Sequence, residues 1–275
     1  MYVSFFKNNK HYWRIMKYDP VKNIFAKLIH HNKLFRKVFY LILDITILRQ
    51  LYVKKSIKKY YQKTEPFTFY DAGAGFCQYT DFILNHFPKA DIVSMDLKTD
   101  YMLSYQSSLP SNCKRIKIYQ GDLQSFICPQ KTDLVIAIDI LEHIQDDISV
   151  LKNIYQTMNH EGKLIISTPS NLDKAAAFTE EHVRPGYSML ELENKLKKTG
   201  FKILEIYYSY GFWGKLYWNI GMKIPLSLLS LSKLFFMILP LYFIIVVPFN
   251  LIFMFLDMNL KNKKGNGIVC ISKKI

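Results

Sequence analysis

Phe67 to Cys77 reads Phe-Thr-Phe-Tyr-Asp-Ala-Gly-Ala-Gly-Phe-Cys, and this stretch limits the possible folds more than any other. β-Branched and aromatic residues lead into Asp71, Gly73 and Gly75, and a helical pattern starts at Gln78. That order predicts a strand, a tight turn without large side chains, and a helix start. Glycines so spaced let a ligand lie against the backbone at the carboxyl end of a strand. A Gly-rich turn is equally an ordinary βα loop, so its meaning depends on the rest of the chain.

C-terminal to this turn, strands alternate with helices. Strands are expected at Phe67–Ala72, Asp91–Asp96, Arg115–Tyr119, Asp133–Ile138, Lys163–Thr168 and Phe201–Tyr208, with a last one near 266–273. Helices are expected at Gln78–His86, Tyr101–Ser108, Ile140–Asn159 and Ser188–Lys198. This alternation implies an α/β fold with a mostly parallel, doubly wound sheet.

Acids recur at the strand ends. Asp96 closes the second strand, where an acid can accept both hydroxyls of a ribose lying across the first loop. Asp122 follows the third strand, within Gly-Asp-Leu, where an acid and the Leu123 amide can meet an adenine edge. Ordinary turn chemistry also favours Gly-Asp. Asp139 closes the fourth strand, ahead of Ile-Leu-Glu-His-Ile. With Asp71, all four acids stand at carboxyl ends, where open α/β sheets bind ligands.

The set Asp-Ala-Gly-Ala-Gly (71–75), Met-Asp-Leu (95–97), Gly-Asp-Leu (121–123) and Asp-Ile-Leu-Glu-His-Ile (139–144) resembles the class I S-adenosylmethionine-dependent methyltransferases. Within them it is most similar to the branch of ubiquinone-biosynthesis O-methyltransferases. Gly162 to Pro169, then Glu181-His182-Val183-Arg184 and Gly200-Phe201, fit as well. The resemblance covers about 66–210 and the last strand. It implies a Rossmann-like seven-stranded sheet of order 3-2-1-4-5-7-6, with strand 7 antiparallel. It implies S-adenosyl-L-methionine as cofactor, held by Asp71, Gly73, Gly75, Asp96, Leu97, Asp122, Leu123 and Asp139. Its methionine end would lie on the glycine loop, its ribose on Asp96 and its adenine by Asp122 and Leu123. Cys77 stands where the family usually has a third glycine, which bears on affinity more than on assignment.

The flanks are unusual. Residues 1–66 carry fifteen Lys/Arg against Asp19, Asp44 and Glu65, so +12 of the chain's +15 net charge sits there. From Lys33 to Lys59, Leu34, Val38, Leu41, Ile45, Leu48 and Tyr52 recur at helical steps, and Arg49 breaks the stripe. Three readings stand for this helix: packing with a basic outer face, a membrane surface, or, with least support, nucleic acid. Leu234 to Leu256 has no charged residue over 23 positions, interrupted by Pro240, Pro248 and Asn250. If 266–273 is the seventh strand, 211–264 is an insertion whose ends return to one side of any membrane. An interfacial or re-entrant helical hairpin, broken at Pro240 or Pro248, fits this better than a single span, and a hairpin buried against the protein itself or in a dimer is the remaining reading. The expected units are a basic helical segment (1–65), the methyltransferase domain (66–210 with 265–275) and an apolar membrane-associating insertion (211–264).

Four cysteines without a C-x-x-C pair argue against zinc and disulfides, and no metal is expected. Met1–Trp13 lacks an apolar run, so no signal peptide is expected, and the inner face of a membrane is the expected location. The leading function is methyl transfer to a lipophilic small molecule at a membrane surface, with lipids as partners and nucleic acid disfavoured. A nicotinamide oxidoreductase would want Gly where Gln78 stands. An RNA methyltransferase and a non-catalytic membrane adaptor on the same fold are the alternatives. His143 and His182 are the candidate general bases, with packing as the plainer role for each.

Overall fold

The computed structural model describes residues 33–172 and 182–275, so Glu181 and the segment 1–32 lie outside the described residues. Seven strands form one sheet in the order β3-β2-β1-β4-β5-β7-β6. They are β1 (Thr68–Ala72), β2 (Asp91–Asp96), β3 (Ile116–Gln120), β4 (Thr132–Ile138), β5 (Met158–Pro169), β6 (Phe201–Ser209) and β7 (Gly267–Lys274). Neighbours pair in parallel from β3 to β5, and β7 runs antiparallel between β5 and β6. This is the order and the antiparallel strand that the motif set implied.

The central strands are apolar on both faces because helices cover both. Along β4, Leu134 and Ile136 enter one core while Val135 and Ala137 enter the other, the two-residue period of a strand. One face is covered by α2 (Leu48–Tyr60), α3 (Gln78–His86) and α4 (Asp100–Ser107), which bury Val53, Ile57, Ile83 and Met102. The other is covered by α5 (Asp147–Thr157) and α6 (Met189–Lys198), which bury Leu151, Ile154, Leu192 and Leu196.

Two helices differ from expectation. The helix expected over Ile140–Asn159 is a 3-10 turn at Leu141–His143 followed by α5. Asp146 caps α5 by accepting from the Ser149 amide (3.0 Å), which stops the helix from reaching back to Ile140. The helix expected over Lys33–Lys59 is split into α1 (Lys33–Thr46) and α2 by Ile47, which is extended. The run Ile45-Thr46-Ile47 is stiff at χ1, and the Thr46 hydroxyl bonds the Ile42 carbonyl (2.6 Å). The apolar stripe splits with it: Leu48 and Tyr52 are buried, whereas Leu34, Val38 and Leu41 are exposed. Arg36, one of this helix's basic residues, does not join a solvated face but is buried and bonds the Ser104 carbonyl on α4 (3.2 Å).

Between β6 and β7 the chain forms a helical hairpin. It leaves through α7 (Phe212–Trp218), a π turn at Asn219–Lys223 and α8 (Ile224–Leu231), and returns through α9 (Leu239–Asn259). The reversal falls at extended Ser232 and the 3-10 turn Lys233–Met237, not at a proline. Pro240 sits in the first turn of α9, where its missing N–H costs nothing, and α9 continues through Pro248. Trp213 stacks on Phe253 (5.7 Å) and the Tyr242 hydroxyl donates to the Ile220 carbonyl (2.6 Å), which join the two legs.

Candidate active site

The β1–α3 loop is held open by backbone bonds. The Gly73 and Ala74 amides both donate to the Met95 carbonyl (2.8 and 3.0 Å). The Gly75 amide donates to the Asp96 carboxylate (2.9 Å), whose other oxygen accepts from the Lys98 amide (3.1 Å). Asp96 thus ties two βα loops together, and each carboxylate oxygen keeps room for another donor. Gly73 and Gly75 both have positive φ, yet they serve different ends. A Cβ at Gly73 would meet Ile140 Cδ1 at 2.3 Å, whereas one at Gly75 would meet nothing within 4 Å. Gly73 therefore makes way for a side chain, and the open floor is at Gly75. Cys77, at the third glycine position, is also left-handed and lies buried at the start of α3.

Asp71 is buried beneath the loop and accepts from the Thr80 hydroxyl (2.9 Å). Burial pushes its carboxyl up to about 7, with the nearby Asp96 adding to the rise and the Thr80 bonds opposing it. Leu97 is exposed beside Asp96, and its carbonyl accepts from Gln120 (3.0 Å). Asp122 is exposed and accepts from the Gln124 amide (2.9 Å). Leu123 is buried, and its carbonyl is held by Asn153 (3.0 Å). The N-terminal helix also reaches this site: the Tyr40 hydroxyl on α1 donates to the Phe76 carbonyl (2.6 Å), bracing the glycine loop.

Beyond the loop, Asp139 follows β4 at φ +51, with its amide on the Ser167 carbonyl (2.8 Å). Arg49 of α2 forms an ion pair with one Asp139 oxygen, and the other oxygen is buried without a hydrogen-bond partner among the described residues. The residue that broke the apolar stripe is thus the one that enters the site. Next to Asp139, Glu142, His143 and His182 converge, their possible ligand atoms within 4.8 Å of one another. The two imidazoles meet edge to face at 4.5 Å. Glu142 is buried, which raises its pKa, and it accepts from the Thr168 hydroxyl (3.1 Å). Its second oxygen has no hydrogen-bond partner among the described residues. One carboxylate and two imidazoles form a donor set that suits a divalent transition metal as well as proton transfer.

The loop carrying His182 is pinned. The Val183 amide donates to the Glu142 carbonyl (3.0 Å), and Arg184 donates to the carbonyls of Ile144 (3.0 Å) and Gln145 (2.9 Å). Arg184 and Lys195 both pair with buried Asp147. Neither Tyr40 nor Arg49 is marked by a local motif, and only Arg49, as a charge in an apolar stripe, left a signal in the sequence. A cavity of about 250 Å³ opens beside Asp139, along the edge formed by the ends of β5, β6 and β7.

Residues 70–164 match the family described as methyltransferase domain. Over about a third of its length, the chain is thus similar to methyltransferase domains. It is 23% identical over 104 residues to trans-aconitate 2-methyltransferase of Rhodopseudomonas palustris (strain BisB5), a match covering 38% of this chain and 39% of that relative. Among solved structures it is similar to the O-methyltransferase of a trans-AT PKS multienzyme of Brevibacillus brevis in complex with S-adenosyl-L-homocysteine. That likeness is 15% identical and covers 90% of this chain and 79% of that one, with a TM-score of 0.56. It is also similar to an S-adenosylmethionine-dependent methyltransferase of Mesorhizobium loti, at 13% identity, 80% and 96% coverage and a TM-score of 0.52. The [4+2]-cyclase SpnF has the same fold, at 11% identity, 81% and 79% coverage and a TM-score of 0.53. Such likenesses establish the fold of the methyltransferase domain, and its reaction is argued from the site.

The site fits a cationic, nucleoside-bearing cofactor. The floor at Gly75 is open, and Asp96 and Asp122 have no cation paired to them among the described ion pairs. Asp139 offers a buried oxygen that lacks a hydrogen-bond partner among the described residues.

Proposed function

We propose that the protein methylates an oxygen on a lipophilic acceptor delivered from a membrane surface. Bound S-adenosylmethionine supplies an activated methyl group on a sulfonium sulfur. Asp96 would accept the ribose hydroxyls, the open loop at Gly75 would take the methionine end, and Asp122 and Leu123 would flank the adenine. Asp139 would face the cationic end. The chain's part in the transfer is chiefly to align the acceptor oxygen and exclude water. His143 or His182, at the carboxyl edge beyond Asp139, would take the acceptor's proton.

The observation that carries the membrane part is the hairpin. α9 has 21 residues, about 30 Å of helix, and is long and apolar enough to cross a bilayer. Only 11% of its apolar window is buried, with Leu241, Ile244, Ile252 and Phe255 exposed, so it is not a core helix. Its legs are joined at their root, where the Gly214 amide donates to Asp257 (2.9 Å), and β7 stays in the sheet. Chain that enters lipid therefore re-emerges on the side it came from. α1 adds exposed Leu34, Phe35, Val38 and Leu41 beside basic residues, a composition suited to anionic headgroups. The motif resemblance to quinone-precursor O-methyltransferases points the same way.

A second reading concerns the base. The approach of Glu142, His143 and His182 favours a divalent metal ligated by these three, which would polarise the acceptor oxygen in place of a histidine base. Mass spectrometry of a lipid extract incubated with the protein and isotope-labelled S-adenosylmethionine tests the main reading. A labelled lipid product is expected; cofactor binding without any labelled product would leave the adaptor alternative standing.

A further inference from the structure

The cavity beside Asp139 has a distinctive lining. Arg49 and Lys215 enter it, and no acid does. Ser167 and Tyr210 are hydroxyl-bearing residues of the lining, and Trp218 adds an apolar ring. Lys215, on α7, is exposed and has no carboxylate partner among the described ion pairs. Arg49 spends its guanidinium on Asp139, at the edge where the methyl donor's cationic end would sit. Two cations lining one small cavity repel, and a cationic donor beside them adds to the repulsion. An anion in the cavity would relieve both and release Asp139 to face the donor.

We infer that this cavity binds an anionic group, carboxylate or phosphate, on an apolar body, with Arg49 as a planar fork and Lys215 as a point charge. The inference rests on the methyl-transfer reading for the anion's role as part of the acceptor. Lys215 and Trp218 belong to α7, the root of the apolar hairpin, so the cavity adjoins the element that leads to the lipid-seeking surface. Ser167 and Tyr210, which also line the cavity, bring hydroxyls to the donor set, as expected for a partly desolvated anion.

Calorimetry on the full chain with S-adenosylhomocysteine bound tests this. Phenyl phosphate, benzoate and neutral benzyl alcohol serve as probes, with Lys215→Gln and Arg49→Gln as variants. The anions should bind and benzyl alcohol should not. Each variant should weaken the anions about tenfold or more, the usual loss for a charge-assisted contact. The tighter of the two anions identifies phosphate or carboxylate as the natural group. Benzyl alcohol binding as tightly as the anions, anion affinities unchanged in both variants, or no anion binding would each overturn the inference. Retained S-adenosylhomocysteine binding in the variants reports an intact fold. Its absence in the wild type would count against the methyl-transfer reading and leave the anion result legible.

Discussion

The Tyr52 hydroxyl on α2 donates to the Asp257 carboxylate on α9 at 2.8 Å, across 205 residues of sequence. Asp257 is fully buried and also accepts from the amides of Tyr210 (3.0 Å) and Gly214 (2.9 Å). Gly214 lies in the first turn of α7, and the Gly211 N-cap has no side chain to satisfy it. The acid that closes α9 therefore caps α7 and fastens both legs of the hairpin to the N-terminal helices.

Asp257→Asn puts an NH₂ group against amide donors and removes the charge that compensates their burial. The expected cost is about 2–4 kcal/mol, since hydrogen bonds to a buried charge are the strong ones. Tyr52→Phe should cost about 1–2 kcal/mol, and the double variant less than the sum. Thermal melts in a neutral detergent measure all three. Additive losses would mean that the two residues act independently.

The two glycines of the loop should separate stability from binding. Gly73→Ala drives a methyl into Ile140 and should lower the melting temperature, with partial rescue by Ile140→Val. The Cβ of Gly75→Val meets no neighbour, so its main cost is the left-handed backbone penalty of about 1–2 kcal/mol. It should nevertheless abolish S-adenosylhomocysteine binding. Retained binding in Gly75→Val would mean that the cofactor does not lie on this floor.

The strand-turn-helix at Phe67–Cys77 and the acids at 96, 122 and 139 were legible in the sequence because period, turn chemistry and strand ends are local properties. The partner of Arg49 was not, because 90 residues separate it from Asp139 and only the sheet brings them together. Nor was Arg36, whose charge suggests a solvated face although tertiary packing buries it on α4. The break in Ile140–Asn159 came from the Asp146 cap, a local signal outweighed by a continuous apolar stripe. His143 lies in the 3-10 turn before that break, where its ring meets His182.

Asp71 predicts a pH dependence. Its carboxyl is raised to about 7 in the fold by burial, against about 3.9 unfolded. The folded state holds the proton more tightly, so stability should fall as pH rises from about 4 to about 7, by up to about 1.4 kcal/mol per unit. Glu142, also raised by burial, contributes in the same direction. Asp71→Asn should flatten the slope in this window. Denaturant midpoints between pH 5 and 7.5 measure it, and parallel slopes would show that Asp71 is ionised in the fold.

The hairpin can be removed as a unit because its ends adjoin: a Cβ on Gly211 would touch the Asn262 side chain, and the Asn266 amide donates to the Tyr210 carbonyl (3.1 Å). Deleting 212–261 with a short Gly-Ser bridge should abolish flotation with vesicles containing anionic lipid while S-adenosylhomocysteine still binds. Flotation unchanged by the deletion would assign attachment to other segments.

Single substitutions should separate a general base from a metal ligand. His143 and His182 stand together with Glu142, held by the Val183 amide and by Arg184. A general base contributes roughly 10²–10⁴-fold, so either alanine variant alone should lose that much turnover if its imidazole takes the proton, with S-adenosylhomocysteine binding unchanged. Only one of the two can be that base. If both variants and Glu142→Gln lose activity alike, and chelation does the same to the wild type, the three act as ligands. Restoration by added Mg²⁺, Mn²⁺ or Zn²⁺ would then name the metal. Arg184→Lys keeps the charge but loses the fork that holds two carbonyls. It should lower kcat by displacing His182 while leaving the pH profile in place, as expected for a positioning residue. A pH profile that shifts with Arg184→Lys would mean that Arg184 acts on the proton transfer itself.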